Sequence, residues 1–337
     1  MAARHYGLGV TARELPSYDD QNFHLRDSAG AEYVLKISNS EEDPGFLDAQ
    51  VAVLERLQER PGRLETPRVV RGSSGESVTR EGDHLVWLVT FLPGRILADV
   101  AEPPRDLLRG VGRGFGDLNV RLEGFDHPAA RRSYAWDLRQ ASGALRIADH
   151  IADRSGRDTV RAALTRFKSE VLPQVERLPF QVIHGDANDH NILVEGEGPA
   201  SRISGLLDFG DLVWTARACE PAIAMTYAML TAADPLEAGA LVLAGYHEAL
   251  GLSRTEIHLL PHLIEARLSV SVTMSAYRRG QDPANEYLSL SEAPAWRLID
   301  WMSTTLPSRW TQTFEDACAS SRPIEGNAVP ERATDEA

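Results

Sequence analysis

The run His184-Gly185-Asp186-Ala187-Asn188-Asp189-His190-Asn191, followed downstream by Leu207-Asp208-Phe209-Gly210, constrains this 337-residue chain more than any other feature. It sets a carboxylate at Asp186, an amide five residues later at Asn191, and a second carboxylate where the run Ile203-Ser204-Gly205-Leu206-Leu207 ends. Carboxylate and amide oxygens are hard ligands that suit Mg²⁺, with phosphate oxygens and waters filling the octahedron. A further carboxylate beside them can accept the proton of an incoming hydroxyl. A fold that uses these groups must hold a loop between two short strands against the end of a third. The chemistry they imply is phosphoryl transfer from a nucleotide, which depends mainly on positioning and electrostatics.

Other classes fit less well. Formal net charge is −14, opposite in sign to a nucleic-acid binder. The acidity either merely aids solubility or favours a cationic small substrate through its field. No window is long and apolar enough for a membrane span, and residues 1–10 lack the pattern of a signal peptide. Two cysteines, Cys219 and Cys318, make no disulfide framework, so a cytoplasmic location is expected, with no membrane partner. Only two of the 35 basic residues are lysines, Lys36 and Lys168, which draws attention to position 36.

Residues 6–16, 22–27 and 31–38 read as strands separated by Ser17-Tyr18-Asp19-Asp20 and Asp27-Ser28-Ala29-Gly30, both rich in turn formers. Pro44-Gly45 opens a helix with Leu47, Val51, Leu54 and Leu57 on one face. Strand-like runs follow near 67–71 and 84–91, which makes a five-stranded antiparallel sheet with one helix. Phe91-Leu92-Pro93-Gly94 breaks the pattern as a hinge. Beyond it the chain is mainly helical, with helices marked by Leu107, Val111, Phe115 and Leu118, by Val160, Leu164, Phe167 and Val171, and near 218–231, 236–250 and 255–280. The expectation is an α+β, bilobal chain. It has a nucleotide-binding lobe over 1–92, a catalytic and substrate-binding lobe over 93–320, and a disordered tail over 321–337.

Lys36 sits in Tyr33-Val34-Leu35-Lys36-Ile37, where alternation turns it away from its apolar neighbours. It is either an exposed strand lysine or, with the downstream motif, a ligand for nucleotide phosphates. The following helix offers Gln50 to orient it and Glu55 to balance its charge. Asp19 and Asp20 have no assigned role beyond a turn. His184 is expected to pack beneath the loop. Two other metal readings compete. Asp186-x-Asn188 with Glu197 at the twelfth place imitates a calcium loop, but Asn191 stands where glycine is required and strands flank it. A metallohydrolase would use His184, Asp186 and His190.

With these residues in view, the chain resembles the aminoglycoside phosphotransferase and choline kinase superfamily. These are small-molecule kinases of protein-kinase-like fold, in which His-Gly-Asp replaces the His-Arg-Asp of protein kinases. Within it the chain is similar to the hydroxylysine kinases over most of residues 5–305. The similarity runs through Ser17 to Phe23, Tyr33 to Ser38, Gln50, Leu92-Pro93-Gly94-Arg95, His184 to Leu193, Leu207 to Asp211, and Asn285-Glu286-Tyr287-Leu288. The resemblance implies Asp186 as the catalytic residue, Asn191 and Asp208 as Mg²⁺ ligands, Lys36 on the phosphates of ATP or GTP, and the backbone at Thr90 and Leu92 against the purine. Gln50 belongs to the same pattern, which weakens Glu55 as the partner of Lys36. The implied acceptor is an amino alcohol or hydroxy amino acid, with 5-hydroxylysine first. Its ammonium needs a carboxylate, for which Asp189 and Asp211 are candidates; a turn cap is the competing role for Asp211. An acceptor carboxylate would need an arginine, Arg217 or Arg267, unless these are surface residues. Trp214 and Tyr134 either wall the pocket or pack in the core. The alternatives are an aminoglycoside-type antibiotic phosphotransferase and a nucleotide-binding pseudokinase.

Overall fold

The computed structural model describes residues 1–15, 17, 20–281 and 292–321. Asp19, the Asn285–Leu288 segment and residues 322–337 of the expected tail lie outside the described residues. Ser321, the first residue of that tail, is buried and its hydroxyl accepts from Arg109 at 3.0 Å.

The chain opens with helix α1 (Ala2–Tyr6), not with the strand expected from residue 6. Alanines favour the helical turn, and Gly7 ends it in the left-handed region at φ 67°. Strands β1 (Val10–Leu15), β2 (Gln21–Asp27) and β3 (Glu32–Ile37) follow as antiparallel neighbours. Helix α2 (Pro44–Glu59) starts at Asp43, whose side chain accepts from the Gly45 amide at 2.9 Å. Strands β4 (Val69–Val70), β5 (Val78–Glu81) and β6 (His84–Thr90) complete the sheet in the order β1-β2-β3-β6-β4, with β5 also on β6. Among the described residues this sheet has six strands, one more than expected. The additional strand is β5, which pairs with β6 through the Gly82-Asp83 turn.

The two faces of the sheet serve different cores. Leu35, Val86 and Leu88 pack with Tyr6 and Leu25 in a small cluster. Leu85, Trp87 and Val89 point the other way and join Leu47, Val51, Leu54 and Leu57 of α2 in the main core. The period of two along β3 therefore turns Lys36 toward the face of Trp87, its register partner, with its ammonium 5.3 Å from the indole centroid.

Residues 91–94 lead to β7 (Arg95–Ile96) and the helical C-terminal part. This part holds α3 (Arg105–Arg121), α4 (Arg154–Arg166), α5 (Leu172–Val175), α6 (Cys219–Leu230), α7 (Pro235–Ala249), α8 (Arg254–Gln281), α9 (Glu292–Thr304) and α10 (Pro307–Ala319). Strands β8 (Phe180–Ile183) and β11 (Val213–Ala216) form one pair, and β9 (Ile192–Glu195) lies between β7 and β10 (Arg202–Leu206). Glu65, between α2 and β4, bridges to Gly205 of β10, which ties the N-terminal sheet to the strand that carries Asp208.

Helices α3 and α7 meet at glycines. A Cβ on Gly112 would lie 1.7 Å from the Val242 carbonyl oxygen, and one on Gly245 would lie 1.9 Å from that of Arg109. At Gly110 of α3 an added Cβ would meet only an Ile203 side-chain carbon, at 3.4 Å. Gly112→Ala and Gly245→Ala are expected to lower the unfolding free energy by about 2–3 kcal/mol through overpacking. Gly110→Ala is expected to be neutral or to stabilise by up to ~1 kcal/mol. Urea unfolding of the three variants checks this, and equal midpoints for all three would refute the close crossing.

Candidate active site

The loop from His184 to Asn191 spans β8 and β9, and Asp208 follows the end of β10. The peptide unit of Leu207 joins the two. Its N–H donates to the Asn191 carbonyl at 2.8 Å, and its carbonyl accepts from His184 Nε2 at 2.8 Å. The other ring nitrogen of His184, Nδ1, accepts from the Asp186 amide at 3.3 Å. Both bonds require the neutral ring with hydrogen on Nε2, and burial lowers the histidine's proton affinity in the same direction. Gly185 has φ 82° and lies so close to Asp211 that a Cβ would be 2.4 Å from its carbonyl oxygen. A larger residue there would displace the loop.

Asp186 projects from this loop with both carboxylate oxygens held. Oδ2 accepts from Asn188 Nδ2 at 2.6 Å and Asn191 Nδ2 at 2.8 Å, and Oδ1 accepts from Arg267 Nη2 at 2.9 Å. Burial pushes the Asp186 carboxyl upward, Arg267 opposes the shift, and the Asp208 charge adds to it. Asp208 has φ 53°, a left-handed conformation that L side chains rarely adopt. Its side chain is 56% exposed, and Oδ1 meets Lys36 Nζ at 3.4 Å. The lysine charge holds the Asp208 carboxyl below its ordinary value.

The acidic group on which Lys36 rests is therefore Asp208, not a residue of α2. Gln50 is buried on α2, and Glu55 pairs with Arg71. At the end of β6 the Thr90 amide donates to the Arg68 carbonyl at 2.9 Å, and the Leu92 side chain lies against Gly205. Asp20 caps the chain at Asn39, whose amide donates to its Oδ1 at 3.1 Å.

The structure separates the expected acceptor residues. Asp211 accepts a hydrogen bond from the Tyr134 hydroxyl, and burial followed by the Asp186 charge pushes its carboxyl up to about 6. Asp189 is half-buried, and burial raises its carboxyl. Arg267 is buried beside Asp186. Arg217 is a correction: its Nε and Nη2 bind Glu256 at 2.7 and 2.9 Å and its Nη2 also meets the Gly251 carbonyl, so this buried arginine is committed to a structural ion pair. Trp214 packs between Phe180 and Arg131 rather than beside Asp186.

Several groups of the site escaped the sequence reading. Glu220 of α6, fully buried, accepts from the amides of His184 at 2.6 Å and Gly185 at 3.3 Å. Tyr227 lies seven residues further along α6 and reaches Arg267 at 3.0 Å. Arg132 donates to the Gly210 carbonyl at 2.9 Å and stacks on Phe46 and Tyr134. The signal available was a single glutamate inside the apolar run 219–230, since a charge there must have a buried partner.

These groups fit a Mg²⁺–phosphate complex. Asn191 donates through Nδ2 to the Asp186 carbonyl and carboxylate, which leaves its Oδ1 as a hard ligand, and Asp208 is anionic. They do not fit the other metal readings. Both nitrogens of His184 are committed to backbone, and among the described residues no group of three or more His, Cys, Asp or Glu side chains could hold a metal ion.

A six-stranded antiparallel sheet with a lysine, joined to a helical part with an Asp–Asn loop and a strand-end Asp, is the arrangement of a kinase-like phosphotransferase. The chain belongs to the APH phosphotransferase enzyme family, whose model matches residues 11–260. It is similar to the hydroxylysine kinase of Mus musculus, at 31% identity over 91% of this chain and 90% of that one. Among solved structures it is similar to a microcompartment-associated aminopropanol kinase (TM-score 0.70, 16% identity, 93% of this chain and 98% of that one). It is also similar to an amicoumacin kinase in complex with AMP-PNP, Ca²⁺ and Ami (TM-score 0.70, 14% identity, 91% of this chain and 94% of that one). No helix among the described residues is long and apolar enough to cross a membrane.

Burial pushes the Glu220 carboxyl from 4.5 up to about 8. The folded chain therefore keeps a proton that the unfolded chain has released. This contribution to stability is complete below pH 4.5 and is lost as pH rises through about 8. Glu220→Gln cannot titrate, so its stability, measured by urea unfolding from pH 4 to 9, should fall less steeply over that window than the parent's. Parallel curves would mean that Glu220 is ionised in the fold.

Proposed function

We propose that this protein transfers the γ-phosphoryl group of ATP or GTP to the hydroxyl of an amino alcohol or hydroxy amino acid, with 5-hydroxylysine as the first choice. The observation that carries the reading is the Asp186 carboxylate, fixed by Asn188 and Asn191, in a loop tied through Leu207 to the Asp208–Lys36 pair. The named hydroxylysine kinase, aligned over nine-tenths of both chains, supports the choice of acceptor.

In this reading residues 1–92 hold the nucleotide and residues 93–320 hold the acceptor. Thr90 and Leu92 face the purine, and Lys36 moves from Asp208 to the phosphates, with Gln50 beneath it. Asn191 and Asp208 hold Mg²⁺, which when bound neutralises phosphate charge. Asp186 orients the acceptor hydroxyl and takes its proton as the oxygen bonds to the γ-phosphorus. The bond from that phosphorus to the bridging oxygen breaks, and the nucleoside diphosphate leaves. Asp189 lies three residues after Asp186 and Asp211 three after Asp208, and their carboxylates suit the acceptor's ammonium. The buried thiols Cys219 and Cys318 accord with a cytoplasmic protein.

Three measurements test this. Asp186→Asn should keep nucleotide binding and lose orders of magnitude of turnover, from a kinase range of roughly 1–100 per second; undiminished turnover would remove Asp186 from the mechanism. Asp208→Ala should abolish Mg²⁺-dependent nucleotide binding, and unchanged Mg²⁺ dependence would send the cation elsewhere. Purified enzyme should be screened against amino alcohols, hydroxy amino acids and aminoglycosides, with ATP and GTP, by nucleoside diphosphate release. Turnover is expected on 5-hydroxylysine and close relatives, and turnover on aminoglycosides alone would overturn the acceptor.

A further inference from the structure

Two of the donors that hold the Asp186 carboxylate, Asn188 and Asn191, belong to its own loop. The third, Arg267, comes from α8, 81 residues away. Its side chain is only 3% exposed. Nη2 is shared between Asp186 Oδ1 at 2.9 Å and the Tyr227 hydroxyl at 3.0 Å. The guanidinium lies 4.7 Å from the Trp136 ring centroid and 5.4 Å from that of Tyr227.

Arg217 shows what a structural arginine looks like in this fold. It binds Glu256 through two nitrogens and a backbone carbonyl besides. Arg267 is arranged differently. Its Nε and Nη1 are buried without a hydrogen-bond partner, and a single nitrogen touches Asp186. Burying a cation with unmatched donors is costly, so stability alone does not account for the arrangement. A one-point contact does have a consequence for the carboxylate. Oδ2 already takes the two amide donors, and the one N–H on Oδ1 leaves that oxygen a second acceptor site for an incoming hydroxyl.

We infer that Arg267 is a positioning residue for Asp186, fixing Oδ1 where the acceptor hydroxyl must arrive, and that it does not receive the acceptor's own carboxylate. Its unmatched nitrogens have no open surface, which argues against a docking role for a second anion. The inference rests on the role proposed above for Asp186. Arg267 acts through Asp186, so its loss should appear in kcat whatever the acceptor carries.

The test compares Arg267→Gln, Arg267→Lys and Tyr227→Phe with the parent on two acceptors, 5-hydroxylysine and the diamino alcohol that lacks its carboxylate. Arg267→Gln should lower kcat by roughly 100-fold on both acceptors with KM for each unchanged, the size expected when a catalytic group is misplaced by about 1 Å. Arg267→Lys keeps the charge and should recover part of the loss, and Tyr227→Phe should lower kcat less than either. These two milder variants carry the test if Arg267→Gln does not fold by circular dichroism. A raised KM for 5-hydroxylysine alone would make Arg267 the acceptor's carboxylate receptor and overturn the inference, as would unchanged kcat in all three variants. A parent inactive on both acceptors would sink the proposed acceptor instead. Arg267 is then judged on nucleoside diphosphate released to water: a fall in Arg267→Lys and Tyr227→Phe supports it, and parent-like release refutes it.

Discussion

One peptide unit sets the geometry on which this site depends. The N–H of Leu207 bonds the end of the 184–191 loop and its carbonyl bonds the ring of His184 at the loop's start. Asp208 follows directly, so its approach to Asp186 and Asn191 is governed by two hydrogen bonds to a rigid amide rather than by flexible side chains. Leu207 and Asn191 are half-buried and His184 is fully buried, so an unmade partner would be costly, above all at the ring. His184 can play this part only as a neutral ring, and its burial against Phe115 and Phe209 keeps it neutral. His184, expected to pack beneath the loop, is thus the joint between the 184–191 loop and the segment that leads to Asp208.

The second constraint is charge. The Asp208 charge opposes ionisation of Asp186 and Asp211, and the Asp186 charge opposes that of Asp211 and Glu220. Lys36 and Arg267 are the cations that meet Asp208 and Asp186 directly. Each carboxylate is tuned by its own neighbours. Asp208 is held low by a lysine that a phosphate can compete for. Asp211 is held high by burial and by Asp186. Glu220 is higher still and grips backbone amides instead of a cation. Such divergence among neighbouring acids suits the separate roles proposed for Asp208 and Asp186, while Glu220 holds the loop amides.

Much of this was legible in the sequence because it is local. The facing of Lys36 follows from strand alternation, the buried stripe of α2 from helical spacing, and the relation of Asp186 to Asn191 from a loop too short to vary. The first helix and β5 were not legible, because Ala2–Tyr6 is held partly by Arg4 and His5 bonding Glu81, and β5 is polar and depends on its partner β6. Arg217 and Arg267 show the same limit at the site. Both are single charges in largely apolar surroundings, and their sequence context does not distinguish a partner at Glu256 from one at Asp186. Only the packing of α6 and α8 decides between them.

That packing also bears on the absence of a glutamate at position 50. A lysine that pairs with a helix carboxylate is held ready whether or not nucleotide is present. Here the lysine rests on Asp208, which is itself proposed to bind the metal, so lysine and cation compete for one carboxylate. In the proposed roles a phosphate would take Lys36, which would free Asp208 to hold a cation. Gln50, buried and uncharged, adds no rival anion to that exchange. A glutamate in its place would bury one more charge on α2. The amide is therefore consistent with a site whose two charged groups are kept paired until the metal–nucleotide complex separates them.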